Sequence, residues 1–288
     1  MKKYLVPTDG SENSEMAIKT AVNMVKKSGG SITLLSVLDS DAFMTGSQVN
    51  VSIAEVMEKN KNALDELTNN YIDKYKDPSF EFNAIIKTGN VANEIILESE
   101  NGYDMIVIGS RGLSMLKRTF LGSVSNKVVN SVHTPVLVVK EYHENDFSNI
   151  LVPIDGSNNS KRAMYIAAEI GRLFGSQITL MNIVTELQVP QVRGVEFGVV
   201  SDYYPTLSQN SKYLLSESAK KIEDYPYQIK LETKTGNVAN VIIEVADEEN
   251  YDMIALGSRG LGKISRAFMG SVSNAVLHNT KKSVLIIR

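Results

Sequence analysis

One stretch of the chain is written twice, and it limits what the rest can become. Gly109-Ser110-Arg111-Gly112, nine further residues and Gly122-Ser123 return as Gly257-Ser258-Arg259-Gly260, nine residues and Gly270-Ser271. Each copy follows an apolar run, Met105-Ile106-Val107-Ile108 or Met253-Ile254-Ala255-Leu256, that reads as a buried strand. A strand that ends in closely spaced glycines and leads into a helix leaves backbone N–H groups open to an anion, because no side chain blocks the approach. A phosphate chain is the anion that fits this arrangement.

The repetition extends beyond the glycines. Ile150-Leu151-Val152-Pro153-Ile154-Asp155-Gly156-Ser157 restates Tyr4-Leu5-Val6-Pro7-Thr8-Asp9-Gly10-Ser11, and later landmarks recur in the same order at nearly constant spacing. The 288 residues are therefore one unit written twice, at about 100 to 200 residues per domain. The expected domains are 1–140 and 149–288, with the polar stretch 141–148, which has no apolar periodicity, as their linker. In the first copy, strands are expected at 4–6, 31–38, 80–87, 104–108 and 135–139. Helices are expected after Ser11 or Asn13, over 53–75, over 91–100 and after Gly122. Strands alternating with helices predict an α/β class: two tandem open five-stranded parallel sheets flanked by helices, with right-handed crossovers. Segments 38–82 and 184–229 have diverged from one another, so the loop or lid expected at 39–51 is predicted to differ from its counterpart.

Composition narrows the function. A formal net charge of −3 with interspersed signs lacks the basic excess that nonspecific nucleic-acid binding draws on, so no nucleic-acid partner is expected. There is no cysteine, and His133, His143 and His278 are scattered, so no metal cluster is expected. The start of the chain turns polar too soon for a signal peptide, and no run approaches the roughly 20 apolar residues of a membrane span. A cytoplasmic location and no membrane partner are the expectations.

The glycines also have a purely steric explanation: Gly109 and Gly112 could supply positive φ in a tight turn, and Gly122 could let a helix pack closely. Retention of the whole spacing and of the following Ser in both copies favours the phosphate cradle. Ser123 and Ser271 are expected to offer hydroxyls to phosphate and also to cap their helices. Arg111 and Arg259 can supply positive charge, with Lys117, Arg118, Lys263 and Arg266 as further cations. Asp9 and Asp155, at the carboxyl end of a first strand, can accept hydrogen bonds from ribose hydroxyls at a topological switch point. The alternative is that each only fixes its turn.

Over essentially its whole length the chain resembles the universal stress protein family, in a tandem form of the ATP-binding branch. The Gly, two residues, Gly, nine residues, Gly-Ser pattern carries the resemblance. It implies a Rossmann-like, adenine nucleotide alpha hydrolase-like fold. It further implies that the loops Pro7, Thr8, Asp9 and Pro153, Ile154, Asp155 contact nucleotide, and that Val37 and Ile183 line the adenine pockets. Gly109, Gly112, Gly122, Ser123 and Val124 would hold phosphates in one copy, and Gly257, Gly260, Gly270, Ser271 and Val272 in the other. One ATP per copy follows, with Mg²⁺ expected because a triphosphate usually brings one. The implied role is a nucleotide-dependent regulatory or stress-response protein; a slow ATPase or phosphate-transferring enzyme, or an assembly module without nucleotide, are the alternatives. In the family two domains meet through their last strands, here 135–140 and 283–288. An intramolecular pseudo-dimer follows, and two chains can dimerise again.

Two other matches fail. Residues 257–263 nearly spell a Walker A loop, but Ile264 stands where Ser or Thr must meet Mg²⁺. Ser28-Gly29-Gly30-Ser31 resembles the glycine loop of adenylating pyrophosphatases, yet it precedes a strand instead of following one. No nucleophile, base and orienting group recur in both copies, so no catalytic residue is assigned and any turnover is expected to be slow.

Overall fold

The computed structural model describes residues 1–40, 53–112, 121–142, 147–185, 203–260 and 269–288. The expected lid at 39–51 lies almost wholly outside the described residues, as do Lys117, Arg118, His143, Lys263 and Arg266.

The chain divides into two units, Met1–Glu144 and Asn145–Arg288. The first runs β1 (Lys2–Thr8), α1 (Glu12–Ser28), β2 (Gly30–Asp39), α2 (Ile53–Tyr75), β3 (Glu81–Gly89), α3 (Val91–Glu98), β4 (Met105–Gly109), α4 (Ser123–Ser131) and β5 (Val136–Val139). The second runs β6 (Asn149–Pro153), α5 (Asn158–Phe174), β7 (Gln177–Val184), α6 (Tyr203–Lys220), β8 (Ile229–Thr235), α7 (Val238–Glu248), β9 (Met253–Gly257), α8 (Ser271–Asn279) and β10 (Ser283–Ile287). Strand order is β3-β2-β1-β4-β5 in one unit and β8-β7-β6-β9-β10 in the other. The pairings within each are parallel. The expected α/β class with five strands per unit is what the fold displays.

Local chemistry explains the helices that set the site. Ser11 caps α1 by accepting from Ser14 N at 3.2 Å, Glu12 and Glu15 lie in its first turn, and Lys26 and Lys27 in its last, all matched to the helix dipole. Ser157 caps α5 in the same way through Ser160 N at 3.1 Å, and Gly175, at φ 72°, ends it in the left-handed conformation. Ala17, Ile18, Ala21, Val22, Met24 and Val25 form the buried stripe of α1. They share the core with Ile106 and Val107 of β4, which are fully buried. Each large side chain so buried contributes roughly 1.5 to 3 kcal/mol.

β1, β2 and β3 run slightly longer than the residue pattern predicts, whereas β4 keeps the expected length and β5 is one residue shorter. β3 continues to Gly89 because β2 continues to Asp39 and pairs with it, after which Ser40 N donates to Gly89 O at 3.2 Å. Helix α3 stops at Glu98, short of the expected Glu100, with Ser99 as its C-cap. Among the described residues, no helix is long and apolar enough to cross a membrane.

Candidate functional site

In each unit the chain winds outward from the first strand and then returns to its other side, so the switch point lies between β1 and β4, and between β6 and β9. β1 and β4 pair only through Tyr4↔Met105 and Leu5↔Ile106, and β6 and β9 only through Ile150↔Met253 and Leu151↔Ile254. Beyond these pairs the first turn of α1 or α5 comes up against the fourth strand of its unit. A Cβ on Gly109 would stand 2.6 Å from Asn13 O, and one on Gly257 would stand 2.7 Å from Asn159 backbone carbon. Neither glycine nor Gly112 has a positive φ, which removes the left-handed turn from the purely steric alternative. These positions need the missing side chain, not the unusual dihedral.

Asp9 performs the turn role: its Oδ1 accepts from Ser11 N at 3.0 Å, as Asp155 Oδ1 does from Ser157 N at 2.9 Å. Gly10 and Gly156, which follow, hold φ of 81° and 86° and so meet the left-handed requirement of this turn. The second carboxylate oxygen of each Asp reaches across to the glycine loop. A Cβ on Gly112 would be 2.4 Å from Asp9 Oδ2, and one on Gly260 would be 2.5 Å from Asp155 Oδ2. One carboxylate therefore ties a turn and also stands against the loop, and the two readings of this Asp are compatible.

The glycine loop is closed at its neck. Ser110 N donates to Val139 O at 2.9 Å, and Ser110 O accepts from Gly122 N at 2.8 Å. In the second unit the matching bonds are Ser258 N to Ile287 O at 2.6 Å and Gly270 N to Ser258 O at 2.7 Å. Ser125 Oγ donates to Gly109 O at 2.8 Å and Ser273 Oγ to Gly257 O at 2.7 Å, bracing the strand end against the helix.

Gly122 and Gly270 are the N-cap residues of α4 and α8, with no side-chain cap. Ser123 and Ser271 are thus the first helical residues and do not cap, contrary to expectation. A serine caps only from the non-helical position before the helix, which glycine occupies here. The first helical bonds are Asn126 N to Gly122 O at 2.9 Å and Asn274 N to Gly270 O at 3.0 Å. The N–H groups of Ser123, Val124, Ser125 and of Ser271, Val272, Ser273 have no intrahelical partner, and they sit at the positive end of the helix dipole.

A cavity of about 260 Å³ opens at the first switch point and one of about 310 Å³ at the second. Among the described residues, those expected at the site in the first copy border the first cavity: Pro7, Thr8 and Asp9 at the end of β1, Val37 on β2, Gly109, Arg111 and Gly112 after β4, and Gly122, Ser123 and Val124 at α4. The second cavity gathers Pro153, Ile154, Asp155, Ile183, Gly257, Arg259, Gly260, Gly270, Ser271 and Val272.

Other lining residues escaped the sequence reading. Ser14, Ser125, Val91 and Ile95 border the first cavity; Ser160, Ser273, Val238 and Ile242 hold the same places in the second. A signal was present, because Gly-Asn-Val-Ala-Asn at 89–93 recurs at 236–240, and Ser-Val-Ser follows the last glycine in both copies. Asn182, which borders the second cavity, has Ser36 as its counterpart and no repeat to reveal it. Among the described residues, no group of three His, Cys, Asp or Glu side chains could hold a metal ion.

A doubly wound α/β unit, repeated in tandem with a glycine-walled cavity at each switch point, is the class that this fold and site define. The chain belongs to the universal stress protein family, whose model matches residues 1–140 and again 146–288. A universal stress protein of Mycobacterium tuberculosis is 28% identical over 202 residues, covering 67% of this chain and 64% of that protein, less than two thirds of its length. One from Methanocaldococcus jannaschii is 34% identical over 153 residues, covering 48% of this chain and 94% of the relative. The crystal structure of a universal stress protein from Archaeoglobus fulgidus aligns with a TM-score of 0.70 at 25% identity, covering 99% of this chain and 98% of that one.

Proposed function

We propose that the chain binds ATP, one molecule in each unit, and acts as a nucleotide-dependent regulatory protein of the stress response. One observation carries the reading: in both units the uncapped helix N-terminus borders the same cavity as an apolar wall and a carboxylate. Phosphate oxygens would take the N–H groups of Ser123 to Ser125 and Ser271 to Ser273, each terminus contributing about 0.3 to 1 kcal/mol before direct hydrogen bonds. The Ser123 and Ser271 hydroxyls and the Arg111 and Arg259 guanidinium groups can add donors. Val37, Val91 and Ile95, with Ile183, Val238 and Ile242 opposite them in the repeat, would receive the base. Asp9 and Asp155 retain acceptor capacity for ribose hydroxyls, since a carboxylate offers about four lone-pair sites. Mg²⁺, if it accompanies the triphosphate, would be held chiefly by phosphate oxygens and water.

Slow turnover fits the same geometry: among the described residues no His or Glu borders either cavity, and the carboxylates that do, Asp9 and Asp155, are each already tied to a turn by a backbone N–H. The slow ATPase remains the second reading, and ADP formation under single-turnover conditions separates it from a pure binder. Association of the two halves through their apolar final strands, and of two chains, belongs to this proposal; sedimentation with and without ATP tests the latter. Mass spectrometry of small molecules released by denaturing the purified chain tests the binding itself.

A further inference from the structure

The two cavities differ on the wall that the second strand of each unit provides. In the first, Leu35 and Val37 line the wall, while Ser36 between them is fully buried with its hydroxyl 3.2 Å from Thr68 Oγ1 on α2. In the second, Asn182 takes the place of Ser36 and borders this cavity beside Ile183 and also a neighbouring one lined by Leu207, Ser211 and Leu214 of α6. Asn182 Nδ2 donates to the Ile154 carbonyl at 2.6 Å. A backbone carbonyl can only accept, so this bond fixes which way round the amide stands: nitrogen toward Ile154, with Oδ1 left as the acceptor. Turning the amide over would set two oxygens against each other. The rest of this wall is apolar, built from Pro153, Ile154, Ile183, Val238 and Ile242 of β6, β7, α7 and the turn after β6, whereas the open N–H groups belong to α8. On the reading above, a ligand with its phosphates on α8 lays its base along this wall, whose edge Asn182 forms.

We infer that Asn182 makes the second cavity selective for a base with a hydrogen-bond donor on this edge, a 6-amino purine over a 6-oxo purine, to a degree that the first cavity does not match. The inference rests on the nucleotide-binding reading above. An amino group pairs with Oδ1; an oxo group leaves two acceptors facing one another, and an unpaired polar group inside a site is the costly case. Backbone groups common to both units discriminate equally in both, so the signature of Asn182 is the difference between the cavities.

The test uses the full chain with one cavity closed at a time, by Gly122→Asp or by Gly270→Asp, titrated calorimetrically with ATP and with inosine triphosphate. The expected ratio of ATP to inosine triphosphate affinity is about tenfold larger in the Gly122→Asp chain, where the second cavity is open, than in the Gly270→Asp chain. Adding Asn182→Ser to the Gly122→Asp chain is expected to remove most of that excess. Equal ratios in the two single-cavity chains overturn the inference, as does an unchanged ratio after Asn182→Ser. If the Asn182→Ser chain does not fold, the comparison of the two single-cavity chains, which both keep Asn182, decides alone. An unmodified chain that binds neither nucleotide removes the proposed function as well; binding without a difference between the cavities removes only the role of Asn182.

Discussion

The N–H of Gly122 and the carbonyl of Ser110 stand 2.8 Å apart, so the loop that leaves β4 returns to within one hydrogen bond of its own start. Three residues on, Ser125 Oγ donates to Gly109 O at 2.8 Å, and the second unit repeats both contacts. These two contacts hold the helix N-terminus beside the strand end. Replacing Ser125 by Ala leaves the buried Gly109 carbonyl one partner short. A loss of about 1 kcal/mol is expected from Ser125→Ala and from Ser273→Ala, nearly additive in the double variant because the sites lie in different units. Urea unfolding checks this, and a double variant as stable as the parent contradicts the bracing role.

The glycines of one motif should respond differently to the same change. Gly109→Ala forces a methyl to 2.6 Å from Asn13 O in the first turn of α1, and such crowding costs about 1 to 3 kcal/mol. Gly122→Ala meets nothing closer than 3.5 Å at a φ of −63°, so its cost stays below about 1 kcal/mol. Thermal unfolding of the two variants, and of Gly257→Ala against Gly270→Ala, should preserve this order.

Ser123 offers a separate test, because it is exposed and is not the cap of α4. Ser123→Ala is expected to leave stability within about 0.5 kcal/mol of the parent, as surface changes usually do, while ATP affinity at the first cavity falls several-fold. A stability loss comparable to that of a true cap, with no change in affinity, would reverse the assignment.

The fold class and the walls of both cavities were legible because they depend on local pattern: apolar runs, turn residues and a spacing that recurs. Gly109 shows where legibility stopped. Its position was readable, but the reason was not, since the obstacle is the backbone of Asn13, brought there by the crossover packing of α1. Ser123 was misjudged as a cap because a Gly-Ser pair does not show which residue is the last non-helical one. Val91, Ile95 and their counterparts lie on helices after the third strand, and only the parallel sheet carries those helices to the switch point. Asn182 has no matching residue in the first copy, so comparison of the halves was silent about it.

Glu98 gives the first unit a pH-dependent contribution that the second lacks, since Val245 holds the same place in α7. Burial pushes its carboxyl up, but hydrogen bonds from Lys87, Asn101 and Tyr103 outweigh this and hold it below the ordinary value of 4.5. Lys87 Nζ and Tyr103 OH each lie 2.8 Å from a carboxylate oxygen. With the folded value depressed, the stabilisation is complete above the ordinary value and is lost as pH falls through the folded one. Glu98→Gln should therefore cost about 1 to 3 kcal/mol at neutral pH, with the deficit shrinking in acid. A deficit that stays constant from neutral to acid pH, in urea titrations of both chains, would contradict the arrangement.

The central claim is that the uncapped N-termini of α4 and α8 are phosphate sites, and Gly122→Asp with Gly270→Asp addresses it directly. Asp is a favoured N-cap, and its negative charge suits the helix dipole by about 0.3 to 1 kcal/mol, so the double variant should fold as well as the parent. Its two carboxylates would occupy the N–H groups that phosphate needs and repel the nucleotide. The decisive measurement is calorimetric ATP titration of the folded double variant beside the parent. Two molecules of ATP bound per parent chain, and loss of binding in the variant, is the predicted result; undiminished ATP affinity in a folded double variant would contradict the account.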